Sequence, residues 1–130
     1  MPMTVKKIYD SALAFLGETP DDLGDGELAE RASYIIAGFC ADNAELDRDF
    51  RETHALPAQD SFSEVYLELE EDFPLSSRFS RAAALYTASM LVIDENESLS
   101  DSLFEKYCDA LSRAVSEIPF AKGKIHDIYS

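Results

Sequence analysis

The strongest constraint on the fold is an apolar stripe that continues from Glu27 to Phe50. Its members are separated by three, four or seven residues, which aligns them on one face of an α-helix: Leu28, Ala32, Ile35, Phe39, Leu46 and Phe50. A helix of this length must be covered by other elements, so the stripe predicts a layered helical domain. Asn43 interrupts the stripe, and we interpret it as the exposed end of the seam, with a register-fixing contact as the alternative.

A first, shorter helix is predicted near the N-terminus. Thr4 can accept a hydrogen bond from the first turn, and apolar residues at helical spacing follow it as far as Leu16. Gly17 supplies the stop. The next residues, Glu18 to Gly26, mix proline, glycine and aspartate and are predicted to form a loop.

Two more helices are predicted in the second half of the chain. Pro74 suits a first helical turn, so the third helix should span Leu75 to Ile93, and its alanine-rich middle predicts burial on most sides. A polar turn follows, after which Ser98 or Ser100 caps a fourth helix. Pro119 ends that helix.

The segment at residues 62–72 has no single period. Alternation of apolar and charged residues favours an extended strand, whereas Phe62, Val65, Tyr66 and Leu69 would also line one face of a helix. Both alternatives stay open. The chain has no internal repeat or domain boundary, so residues 1–130 are predicted to form a single all-α domain of about four helices with this short undecided extended segment.

The charge balance is strongly acidic, with 26 Asp and Glu against 11 Lys and Arg and a net charge of −15. This balance argues against a DNA-groove reader, which needs a basic face. No run approaches the roughly 18 apolar residues that cross a bilayer, so no membrane association is expected. Cys40 and Cys108 both lie in apolar stretches, which predicts core packing and a reducing cytoplasm.

The sequence shows no catalytic or metal-binding signature. His54 and His126 have no ligand or triad partner at suitable spacing. The acidic run that starts at Asp94 resembles a calcium loop, but Leu99 stands where that loop needs glycine. We therefore expect no catalytic residue, no metal ligand and no cofactor, and a protein that is not an enzyme.

Carboxylate pairs three residues apart give the one enzymatic alternative. Such pairs resemble those of all-α, magnesium-dependent nucleotide pyrophosphohydrolases. In a chain this acidic they are expected by chance, so they carry little weight. The pairs are Glu27/Glu30, Glu68/Glu71 and Asp94/Glu97.

Acidic residues concentrate between Asp42 and Asp72. They are predicted to form an acidic surface, for which three interpretations stay open: a solvated face, a channel lining that repels DNA phosphates, or a mimic of DNA for a basic partner. The residues assigned to it are Asp47, Asp49, Glu52, Glu64, Glu68, Glu70 and Glu71.

The C-terminal segment, residues 120–130, is predicted to be a docking tail. It carries apolar side chains on a terminus too short to bury them alone. The residues predicted to contact another subunit or a partner are Phe120, Ile125, Ile128 and Tyr129.

An ordered series of short motifs carries a family resemblance between Tyr34 and Tyr129. The series resembles the small all-α head-tail connector, or DNA-packaging adaptor, proteins of long-tailed bacteriophages and prophages. Its motifs are Phe73-Pro74-Leu75, Arg78-Phe79, Ala83, Tyr86, Ala88, Leu91, Asp94-Glu95-Asn96-Glu97, Tyr107 and Ile125-x-x-Ile128-Tyr129.

The resemblance implies a non-enzymatic structural protein that assembles as a ring beneath the portal and joins the filled head to the tail. The expected partners are other copies of the chain, the portal, and tail or head-completion proteins, while DNA passes without sequence-specific binding. The expected location is the virion, and the host cytoplasm during assembly. The alternative is an acidic helical protein-interaction module, such as a phage-encoded inhibitor or a DNA mimic.

Overall fold

A computed structural model describes residues 3–18, 26–57, 62 and 64–116 of the chain. These residues form a small, mostly helical domain, so the all-α prediction is confirmed. Within them, β pairing is confined to one isolated bridge between Thr4 and Asp72. The elements are α1 (Val5–Phe15), α2 (Gly26–Thr53), a 3₁₀ turn (Ser77–Phe79), α3 (Ser80–Val92) and α4 (Glu97–Val115).

Helix α1 begins and ends as its sequence predicts. The Thr4 hydroxyl accepts a hydrogen bond from the Lys7 backbone N–H at 3.2 Å, which satisfies one of the unpaired donors of the first turn. Gly17 has a φ of 76°, a left-handed conformation that glycine adopts without steric cost. Residues 19–25, in the predicted loop that follows, lie outside the described residues.

Helix α2 is three residues longer at its C-terminal end than the stripe predicts, and its buried face is shifted. Ile36 is fully buried, whereas Ile35 is half-buried. The exposed position predicted for Asn43 is wrong, because the residue is 5% exposed. Its side-chain amide donates to the Phe39 carbonyl at 2.9 Å, so its burial does not leave the amide without a partner.

Helix α3 lies at the centre of the domain and contacts the other three helices. Nine of its thirteen residues are buried, which confirms the burial predicted from its alanines. The helix begins at Ser80 instead of Leu75, because Ser76 has an extended backbone and a 3₁₀ turn intervenes. The Ser76 N–H donates to the Asp47 carboxylate at 2.8 Å and is therefore held outside the helix.

Helix α4 is capped by Asn96, so the predicted caps at Ser98 and Ser100 are wrong. The Asn96 side chain accepts from the Leu99 backbone N–H at 3.0 Å. Ser100 is buried, and its hydroxyl donates to the Ser89 carbonyl at 2.9 Å while the Ser89 hydroxyl donates back to the Ser100 carbonyl at 2.9 Å. This reciprocal pair brings α3 and α4 close together. Pro119, the predicted end, lies outside the described residues.

The undecided segment at residues 64–72 is neither strand nor helix, and it covers the beginning of α1. The Glu71 carbonyl accepts from the Val5 N–H, and the Leu69 carbonyl accepts from the Lys6 N–H, both at 2.9 Å. These N–H groups have no partner inside their own helix. The segment is irregular because its carbonyls point to α1 instead of to a neighbouring strand.

The same segment then runs alongside α2 in the direction of that helix. Tyr66 contacts Tyr34 with ring centroids 4.9 Å apart, and the Leu67 N–H donates to the Ser33 carbonyl at 3.3 Å. Further on, the Phe73 ring stacks on Phe39 at 6.5 Å. The chain thus passes from the N-terminal half of α2 to Asp47 before it enters α3.

Leu67 anchors this segment in the core, since it is 2% exposed, while Val65 two residues earlier is 75% exposed. Leu67→Ala should lower the free energy of unfolding by about 3 kcal/mol, through lost burial and the cavity left behind. Val65→Ala, the matched control, should change it by less than about 0.5 kcal/mol. Urea unfolding followed by circular dichroism measures both, and equal effects would contradict the anchoring of the segment.

Candidate interaction surface

Asp47 does not belong to the acidic surface that the sequence predicts, since it is 2% exposed. One of its carboxylate oxygens accepts from the Ser76 N–H and the other from Arg51 Nε, each at 2.8 Å. Arg51 lies one helical turn further along α2, so the spacing that allows this ion pair is visible in the sequence. The carboxylate has a structural role and is not available to a partner.

Asn43 and Cys40 continue this buried polar face of α2 toward its N-terminus. Burial raises the pKa of the Tyr107 hydroxyl, and the nearby Asn43 side chain acts in the opposite direction. Burial raises the pKa of the Cys40 thiol, and the negative charge of Asp47 raises it further. The thiol therefore stays protonated at neutral pH and is a poor nucleophile.

The other predicted acidic residues divide between two places. Asp49 is half-buried and Glu52 is exposed, both near the C-terminal end of α2. The exposed residues Glu64, Glu68, Glu70 and Glu71 follow the irregular segment beside the N-terminal half of α2. The acids therefore do not form one continuous patch.

A cleft of about 260 Å³, which we call the Tyr66 cleft, lies between α2 and the irregular segment. Its walls include the carboxylate residues Glu30, Glu68 and Glu70 together with Ala29, Tyr66 and Leu69. Three acidic side chains around an aromatic ring provide both charge and apolar area for a bound group.

Lys6 lies beside this cleft, because its backbone N–H donates to the Leu69 carbonyl. Its ammonium group is 2.9 Å from the Asp10 carboxylate and is thereby directed along α1.

Two exposed apolar residues are the sequence neighbours of residues that line the cleft, Tyr34 after Ser33 and Val65 before Tyr66, and we call them its border. Tyr34 is 52% exposed and packs edge-on against Tyr66, and Val65 is 75% exposed. The sequence pattern alone does not indicate that these residues form a surface. Tyr34 lies off the predicted apolar stripe of α2, and this position is a sign in the sequence that its side chain is exposed.

Two other predictions concern residues with reactive side chains. His54 is exposed and its Nδ1 lies 3.0 Å from the Phe50 carbonyl, near the end of α2. Cys108 is exposed on α4, so its predicted core position is wrong. The side of α4 that packs against the domain carries the buried residues Leu103 and Ala114 and the half-buried Tyr107. Cys108 lies next to this side and is exposed.

Among the residues that the structure describes, the predicted carboxylate pairs are not part of a cluster that could hold a metal ion. The Glu71 carboxylate accepts from the Glu68 backbone N–H at 2.7 Å, so this pair is joined through the main chain. Across residues 3–18, 26–57 and 64–116, no three acidic, histidine or cysteine side chains come together where they would hold a metal ion. None of the helices described above has the length and apolar character that a membrane span requires.

The predicted docking tail, with His126 and the four contact residues Phe120, Ile125, Ile128 and Tyr129, lies outside the described residues.

Comparison with known proteins finds no matching family model, no matching curated protein and no matching solved structure. The fold and the surface chemistry thus define a small acidic all-α domain.

Asp47→Ala should lower the free energy of unfolding by about 2–3 kcal/mol, because it leaves the Ser76 N–H and the Arg51 guanidinium without their acceptor. Glu45→Ala, at an exposed position of the same helix, should change it by less than about 0.5 kcal/mol. Thermal and urea unfolding would measure the difference. If Asp47→Ala lowered the free energy of unfolding no more than Glu45→Ala does, the structural role of Asp47 would be contradicted.

The two cysteines should differ in reactivity. At neutral pH a thiol reagent should modify Cys108 in the native protein, and Cys108→Ser should abolish the reaction. Cys40 should react after denaturant unfolds the chain. Modification of two thiols per native chain, counted by mass spectrometry, would contradict the burial of Cys40.

Proposed function

We propose that the protein is a head-tail connector, or adaptor, of a long-tailed bacteriophage or prophage. It would assemble as a ring beneath the portal, around the channel through which DNA passes, with no catalytic role. The resemblance of its motif series to this family is the starting point. The all-α fold and the acidic surface support it.

The observation that carries the proposal is the excess of negative charge on a helical scaffold, −15 in 130 residues. Exposed carboxylates extend over both ends of α2 and along α4, for example at Glu52, Glu68 and Glu105. Such a surface repels DNA phosphates, so DNA slides past without sticking.

The motifs of the resemblance also fall on residues that define the architecture. Phe73 and Phe79 are buried where the chain enters α3, and Ala83 and Ala88 lie in the buried centre of that helix. Tyr107 joins α4 to α2 through its contact with Phe39, at a ring distance of 6.2 Å. The pattern therefore follows the packing of the domain and contains no chemical signature.

A second candidate function is an acidic helical interaction module, such as an inhibitor or a DNA mimic. It is favoured by one specific arrangement: the carboxylates of the irregular segment are held on a backbone that is hydrogen-bonded to α1 and α2. A fixed array of charges binds a basic partner with less loss of entropy than a flexible one.

The test is the mass of the purified full chain by light scattering over a range of concentrations, followed by electron microscopy of the large species. We expect a closed ring with a central channel. A monomer at every concentration would contradict assembly by the chain alone and favour the second candidate.

A further inference from the structure

The Tyr66 cleft and its border have the composition of a docking surface. The Tyr34 and Val65 side chains are more than half exposed, and apolar side chains grouped at one place on a surface mark a site where a partner can bind. The cleft itself carries the Glu30, Glu68 and Glu70 carboxylates. Its occupant should therefore combine positive charge with apolar side chains.

The C-terminal segment of this chain has that composition. Lys122 and Lys124 are two of the chain's 11 basic residues, and they stand immediately before Ile125, Ile128 and Tyr129. Lysine ammonium groups would meet the carboxylates, while the apolar residues would cover the exposed border of the cleft.

The position of α4 favours a tail from another copy over the tail of the same chain. Arg78 Nε donates to the Ala114 carbonyl at 3.1 Å, and the Arg78 guanidinium lies 5.7 Å from the centre of the Phe50 ring. The end of α4 is therefore beside the C-terminal half of α2.

The cleft lies at the opposite end of α2. Glu30 precedes Phe50 on this continuous helix by a distance of about 30 Å, at a rise of about 1.5 Å per residue. When fully extended, the backbone from Ser116 spans at most about 21 Å to Lys122 and about 28 Å to Lys124, so it falls short of this distance at both lysines. The tail of a neighbouring copy starts from a different helix α4, so it can reach the cleft without spanning the length of α2.

We propose that residues 120–130 of one copy occupy the Tyr66 cleft of the next copy. Lys122 and Lys124 would pair with the carboxylates of the cleft, and Ile125 would pack against its exposed border. The inference rests on the proposed function, because head-to-tail contacts of this kind between identical chains generate a ring when the rotation closes.

Directed cross-linking tests the contact in the full chain. In a Cys108→Ser background, one variant carries Val65→Cys and a second, tagged variant carries Ile125→Cys, which keeps both lysines of the tail. Cys40 is buried and does not interfere. After the two are mixed under mild oxidation, we expect a disulfide-linked dimer of one chain of each kind.

The matched control replaces Val65→Cys by Glu105→Cys, an exposed position on α4. Its yield with the Ile125→Cys chain should be at least about tenfold lower. Equal yields, or no mixed dimer, would overturn the proposal. So would intrachain closure in a chain that carries both Val65→Cys and Ile125→Cys, because that product places the tail in its own cleft.

Charge reversal tests the pairing chemistry. Glu68→Lys with Glu70→Lys in the Val65→Cys chain should lower the initial rate of mixed-dimer formation about fivefold, since attraction becomes repulsion. Lys122→Glu in the Ile125→Cys chain should restore part of that rate. The pair Asp101→Lys and Glu105→Lys, which changes the net charge equally on α4, should leave the rate within about twofold. An equal loss from both pairs would show general charge repulsion and overturn the specific contact.

The outcomes separate this inference from the proposed function. Closed rings in electron micrographs without the mixed dimer would overturn the tail contact and leave the ring intact. The mixed dimer together with open filaments, and no closed ring, would support the tail contact and overturn the connector.

Discussion

Asp47 joins the longest helix to the chain that leads into the central one. Its two carboxylate oxygens accept from the Ser76 N–H and from Arg51, both at 2.8 Å, in a setting that is almost closed to water. A buried carboxylate is costly unless both oxygens are satisfied, and here they are. The bond to Ser76 keeps that residue extended and sets the point where the 3₁₀ turn and then α3 begin. Because α3 contacts the three other helices, their positions depend on this junction.

The features that the sequence predicted correctly depend on neighbours along the chain. Thr4 caps α1 through a bond three residues away, and Gly17 ends it through its own backbone freedom. The start of α3 was predicted too early because Ser76 is held by a residue 29 positions earlier. The cap of α4 was predicted at Ser98 or Ser100, and the Ser100 hydroxyl is bonded instead to the Ser89 carbonyl on the facing helix. Contacts between distant parts of the chain therefore explain these errors.

The surface also combines features that follow from the sequence alone with features that depend on contacts between residues far apart in the chain. An acidic character follows from composition, but the buried hydrogen bond of Asp47 is made to Ser76, which the sequence places inside the third helix. The apolar border of the Tyr66 cleft was missed for a related reason. Tyr34 and Tyr66 meet because the irregular segment is bonded to the start of α1 and to the Ser33 carbonyl. No pattern within either segment indicates that they meet.

The charge of the chain and the proposed contact between copies impose opposite demands. Identical acidic domains repel one another, so a ring needs contacts that overcome this repulsion locally. A tail that places two lysines against the carboxylates of the Tyr66 cleft would reverse the sign of the interaction at the contact. The exposed acids elsewhere, such as Glu52 and Glu105, would keep their charge and continue to repel DNA. Assembly and a non-adhesive channel are compatible if attraction is confined to this contact and repulsion acts over the remaining surface.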